Sequence, residues 1–264
     1  IFSISIIFSL IYLTKCNSFC ENICSNVNST VTCNDPTTCG QKKGLPGDYD
    51  FFVFSQLYTP QFCEALQNNF DPTSFHPPNT HCLSPSTVKK TFMIHGLWPN
   101  YVNGYPHCCE KAAAVPLTTG NNATFNPELF PSKIYKEMQQ HWSDPTTTQQ
   151  NCELWNHEWL KHGTCVSNSI LPELFFNTTL NVFRRHSLVN RKILALFGAH
   201  NNLERSLIER LFPTRIQLMC DGTSVVRQNN ARALLELRTC WDHSSLKIVD
   251  CPVLQSRHDA LNCP

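Results

Sequence analysis

The chain has 264 residues, 41% of them hydrophobic and 11% aromatic, which suits one core-bearing domain with appendages and excludes a disordered chain. Lysine plus arginine number 21 against 20 acidic residues, so the formal charge of +1 excludes a polybasic binder that holds nucleic acid by bulk charge. Fifteen cysteines would be a liability in a reducing cytosol and point to an oxidising compartment, while eleven histidines make the charge strongly pH-dependent below about pH 6.5.

Residues 1–14 form an uncharged apolar run, shorter than the ~20 residues a membrane-spanning helix needs. Small residues precede a candidate cut after Ser18, and a starting Met and basic segment are absent. Residues 1–18 therefore read as a signal peptide entered partway, whose removal takes Cys16 and leaves an even number of cysteines. Sequons at Asn28, Asn122 and Asn177 fit the secretory route, and no second apolar run of spanning length occurs, so a secreted protein is expected. Residues 19–47 hold Cys20, Cys24, Cys33 and Cys39 among polar residues and read as a cysteine-rich, loop-like extension. That segment has no histidine and no close C-x-x-C pair, which argues against zinc. The stretch 49–58 reads as a buried central strand, and 91–96 as a second strand ending in a glycine turn. Helical spacing marks 131–142, 151–162, 171–187 and 189–211, the last broken near Gly198 and stopped by Pro213. Strands at 215–220, 233–240 and 245–251 close the chain. Strands at both ends with helices between them predict an α+β fold.

Two segments carry chemistry: TFMIHGLWPNY (91–101) and LWNHEWLKHGTC (154–165). In a helix, Glu158 and His162 share one face, and Lys161 lies three residues from Glu158 and four from His157. A zinc-protease helix needs histidines at i and i+4, roughly 40° apart. His157 and His162 are five apart, roughly 140° around the axis, so that reading fails and no metal is expected. His95 stands at a strand end, where a side chain is well held yet reaches a cleft. Two histidines from separate segments, one acid and one base, suit in-line transphosphorylation. Lys161 and Glu158 would stabilise the phosphorane. Such chemistry needs a nucleophile on the substrate, which the 2′-OH of RNA provides and DNA lacks.

FMIHGLWPNY and HEWLKHGTC resemble the two active-site signatures of the ribonuclease T2 family of secreted, acid-favouring endoribonucleases. YDFFVFSQ is similar to the family's first core strand, and LLELRTCWDHSSLKIVDCP to its closing hairpin. The likeness covers residues 48–264 as one catalytic domain and leaves 19–47 without a counterpart. The resemblance implies a central antiparallel sheet flanked by helices and stapled by disulfides. It implies His95 as general acid, His162 as general base, Glu158 and Lys161 as phosphate-polarising groups, and His157 as a phosphate contact. Trp98 would stack on a base, with Asn100, Tyr101 and Tyr105 as further candidates. The substrate would be single-stranded RNA and the product a 2′,3′-cyclic phosphate hydrolysed to a 3′-phosphate, with no cofactor. Cys165 would pair with Cys108 or Cys109, Cys240 with Cys251, and Cys220 with Cys263. Where many members have Gln-Trp-Pro after the first strand, this chain has Gln56-Leu57-Tyr58-Thr59-Pro60, and some members carry Asp where Asn100 stands. A second class of reading is a catalytically silent binding or signalling protein on the same fold. The sequons and the extension leave open glycan-mediated receptor uptake, a passage into acidic endolysosomal compartments, and a cytotoxic or host-modulating role.

Overall fold

The computed structural model describes residues 31–33, 36–73, 76–84, 88–109, 127–149, 151–199, 204–220 and 233–253. The expected signal peptide, the sequons at Asn28 and Asn122, and Cys263 lie outside the described residues. The main sheet is antiparallel in the order β3 (Phe92–Asn100), β2 (Phe51–Tyr58), β6 (Leu234–Asp242), β5 (Gln217–Cys220), with β7 (Ile248–Val249) also pairing with β6. The strand expected to be central is central. Its aromatic side chains are buried, as a strand with neighbours on both sides requires.

Phe52 and Phe54 of β2 pack with Trp142, Trp155, Trp159, Phe175, Phe176 and Phe183, carried by the helical part of the chain. Those helices are α3 (Ser132–His141), α4 (Asn151–Lys161) and α5 (Pro172–Ala199). Val53 faces the other way, into a smaller cluster with Trp98 and the Cys240–Cys251 disulfide. The alternation of β2 thus gives the sheet one helix-covered face and one face left for a site. Among the described residues no helix is long and apolar enough to cross a membrane.

Three departures from expectation have physical causes. The patterns at 171–187 and 189–211 fuse into the single helix α5, because Leu188 and its neighbours keep helical spacing and no breaker intervenes before Gly198. A short α6 (Arg205–Glu209) follows. The second strand continues through its glycine to Asn100 instead of turning there. The extension is no mere loop: β1 (Val31–Cys33) pairs antiparallel with β4 (Gly104–Pro106), and Cys33 closes on Cys39 at the end of α1 (Pro36–Cys39). A helix α2 (Thr59–Gln67), with Pro60 in its first turn, completes the fold and is tied to the following loop by Cys63–Cys82.

Behind the pocket wall that bears Pro72 and Thr73 lies a buried cluster of charge. His76 bonds Asp71 through Nδ1 at 3.1 Å and Asp144 through Nε2 at 3.2 Å. Burial alone would lower its pKa, but the two carboxylates outweigh it and raise His76 to about 9.

Candidate active site

β3 carries the first histidine in a way the alternation of its sequence does not foretell. In the pairing with β2, Gly96 opposes Ser55 and Ile94 opposes Gln56, so His95 is the extra residue of a β-bulge. Leu97 and Ile94 both enter the helix-side core across that bulge. Strict alternation would send His95 to the side of Leu97; the bulge turns it instead to the cavity. Its carbonyl is fixed from behind by Trp142 Nε1 at 2.9 Å.

The glycine after it is steric in purpose. A Cβ on Gly96 would lie 2.1 Å from Glu158 Oε2 and 2.2 Å from Trp98 Nε1. Those two atoms form a 2.7 Å hydrogen bond that passes directly over Gly96. Glu158 therefore reaches β3 only because the position has no side chain.

The helix α4 divides its faces between core and cavity. Leu154, Trp155 and Trp159 pack inward, while His157, Glu158, Lys161 and His162 line the cavity. Helical hydrogen bonding continues to His162, whose N–H meets Glu158 O at 3.2 Å. Gly163 then begins a 3₁₀ turn to Cys165, where a Cβ would press on the Trp159 ring at 2.4 Å. Cys165 is bonded to Cys109, and Cys108 N–H donates to Lys161 O at 2.9 Å, so the segment after β4 is fastened to the C-terminal end of α4.

β6 supplies what the sequence reading missed. Glu236, buried, accepts a 2.6 Å hydrogen bond from His95 Nδ1 on Oε1. The Ser55 hydroxyl donates to the same oxygen, and Arg238 donates to Oε2 through Nε at 2.8 Å and through Nη2. The bond fixes the proton of His95 on Nδ1 and turns Nε2 toward the Glu158 carboxylate, 3.9 Å away. The only signal in the sequence was a carboxylate among leucines near the start of a strand, LLELRTC.

The electrostatics separate the two histidines. Burial lowers His162 well below its ordinary pKa, and the charge of Lys161 lowers it further, so the ring is neutral. Burial, then Lys161 and His95, push His157 down to about 3. Burial raises the Glu158 carboxyl against the pull of His95, Trp98 and Lys161. Burial would raise Glu236 too, but Arg238 and the bonds from His95 and Ser55 hold it at about 2. His95 thus lies against a permanent carboxylate, while His162 has none bonded to it among the described residues.

One cavity of about 390 Å³ gathers all nine residues expected of the site. Their parts differ from expectation at two positions. Trp98 is 9% exposed, bonded to Glu158, with its ring 4.8 Å from His95 and 5.4 Å from His162. It is a framework for His95, Glu158 and His162 and has little face left for a base. Tyr101 has no accessible surface, and Lys42 Nζ sits 4.9 Å over its ring, so it offers no stacking face. Asn100 and Tyr105 remain partly open, Tyr105 with its ring 6.0 Å from His162. Cys220 is disulfide-bonded. The sequon residue Asn177 lies half-buried within α5 instead of on a loop.

The Ribonuclease T2 family model matches residues 49–251. Intracellular ribonuclease LX of Solanum lycopersicum is 28% identical over 214 residues, 78% of each chain. Extracellular ribonuclease LE of the same plant is 26% identical over 231 residues, 82% of this chain and 86% of its own. Among solved structures, RNase NT in complex with 5′-AMP superposes with a TM-score of 0.55 at 22% identity, covering 82% of this chain and 96% of its own. A point mutant of RNase MC1 in complex with 5′-UMP gives 0.56 at 22% identity, covering 77% and 93%. With the family model spanning the sheet, the helices and both histidine segments, the chain belongs to the ribonuclease T2 family.

Proposed function

We propose that the protein is a metal-independent endoribonuclease that cleaves single-stranded RNA by transphosphorylation, with His162 as base and His95 as acid. The observation that carries this reading is the unequal setting of two histidines on one cavity: His95 bonded to a buried carboxylate, His162 held neutral. A neutral imidazole takes the 2′-OH proton as that oxygen attacks phosphorus. An imidazolium braced by Glu236 delivers a proton to the departing 5′-oxygen. The products are a 2′,3′-cyclic phosphate and a free 5′-hydroxyl. Water then opens the ring to a 3′-phosphate with the two histidines exchanging roles. Lys161 and Glu158 face the charge that develops on the phosphorane, Glu158 held in place by Trp98. His157, neutral, contacts phosphate by hydrogen bonding, not by charge. Four disulfides among the described residues support a secreted protein.

The test is cleavage of single-stranded RNA at mildly acid pH with EDTA present, with products resolved for cyclic-phosphate ends. Activity abolished by EDTA, or equal cleavage of DNA, refutes the mechanism. His95→Ala or His162→Ala with activity retained refutes the assigned roles.

A further inference from the structure

Arg238 uses only part of its hydrogen-bonding capacity on Glu236. A guanidinium carries five N–H groups in a fixed fork. Nε and Nη2 each give one to the carboxylate, and among the described residues the other three have no partner. The side chain is 25% exposed and lines the cavity.

Its placement follows from the register. Arg238 on β6, Ser55 on β2 and Gly96 on β3 stand in one row across the sheet. With two small residues beside it, the long side chain leans over β2 until its guanidinium carbon lies 5.3 Å from the Trp98 ring centroid. The stack on Trp98 and the grip of Glu236 hold the fork before any ligand arrives, so little rotamer freedom remains to be lost. Nor does Glu236 cancel the site: when His95 carries its proton, the trio of His95, Glu236 and Arg238 has one net positive charge. Arg238 and His95 sit on the two oxygens of a single carboxylate, which puts a second cation beside the scissile position on the sheet floor, apart from Lys161 on α4.

We propose that Arg238 is a phosphate-binding residue of the substrate groove, taking non-bridging oxygens of the RNA phosphate next to the scissile one. This rests on the ribonuclease reading of the same cavity. A planar fork suits two oxygens of one phosphate, which a point charge such as lysine does not match.

The test uses 2′-O-methyl oligonucleotides, which lack the nucleophile and cannot be cleaved. A dinucleotide with one phosphate and a tetranucleotide with three are titrated against the wild-type protein, Arg238→Met and Arg238→Lys at mildly acid pH. In Arg238→Met the preference for the tetranucleotide over the dinucleotide falls about tenfold, and the salt slope of tetranucleotide binding falls by about 0.7. Arg238→Lys keeps the slope but loses part of the preference, and decides the matter alone if the methionine variant does not fold. A preference equal to wild type, even with both affinities lowered together, overturns the assignment and leaves Arg238 as a structural partner of Glu236. Unmodified RNA tetranucleotide given to the wild-type protein separates the two readings: absence of cleavage sinks the catalytic one without touching the binding result.

Discussion

Glu236→Gln keeps the shape of the residue that braces His95 and removes its charge. Arg238 aims Nε and Nη2 at Oε2, so the glutamine carbonyl must take that position. The amide nitrogen then falls where Oε1 was, facing His95 Nδ1 at 2.6 Å and the Ser55 hydroxyl. An NH₂ only donates, so Nδ1 has to give up its proton and accept. The ring is left as the neutral Nε2–H tautomer, and the imidazolium that an acid catalyst needs now meets a donor that repels it. The same exchange in the serine-protease triad lowers turnover about 10⁴-fold, and general acid–base catalysis is worth about 10²–10⁴-fold. We therefore expect kcat to fall about 10²–10⁴-fold with KM little changed. Glu236 is held at about 2, so it stays ionised across the working range. Steady-state cleavage of a short RNA at mildly acid pH, with a melting temperature for each protein, separates this effect from a loss of stability. A kcat within tenfold of wild type would refute the tautomer argument.

Gly96→Ala puts a Cβ 2.1 Å from Glu158 Oε2 and 2.2 Å from Trp98 Nε1, so it should cost about 1–3 kcal/mol of stability and lower kcat/KM at least tenfold. Normal turnover with an unshifted melting curve would show that the two side chains can part freely. His76→Gln removes the buried cation between two carboxylates, which keep only neutral donors such as Thr73 and Thr146, and should destabilise by about 3–5 kcal/mol at pH 5.5. Because the folded pKa of His76 is raised to about 9, its contribution is full below the unfolded value near 6.5 and is lost as pH rises through 9. The difference in thermal stability from wild type should therefore shrink by pH 9.5, and an equal gap at both pH values argues against a charged His76. Replacing Cys109 and Cys165 together by serine opens a link between residues 56 apart, worth about 4 kcal/mol by chain entropy. Chemical denaturation should register a loss of that order; no loss would mean that the link adds nothing to the hold of α4 on the segment after β4.

The parts of the site readable in the sequence were those written on one segment. Glu158, Lys161 and His162 follow from helical spacing, and the central strand from its density of buried aromatics. His95 was readable as a candidate at a strand, but its direction was not, since a bulge is set by pairing with β2 and not by β3 alone. Glu236 and Arg238 read as ordinary members of a closing strand, and their meaning appears only when β6 lies beside β2. Tyr101 was legible as an aromatic near the site; what covers it, Lys42, comes from a segment 59 residues earlier whose polar composition carries no periodic signal. Long-range partners are what one-dimensional patterns omit.

The central pairing of the sheet joins its first strand in the chain, β2, to its next-to-last, β6. His95 and its carboxylate are 141 residues apart, and β2 is completed on one side only by β6. At translation rates of 5–20 residues per second, roughly 7–28 s separate the two ends of that hydrogen bond. A nascent chain that has not yet released β6 has His95 without its carboxylate and a sheet without its middle pairing. For a member of a ribonuclease family, whose synthesis takes place on RNA, the order of elements along the chain delays assembly of the candidate site until β6 has left the ribosome.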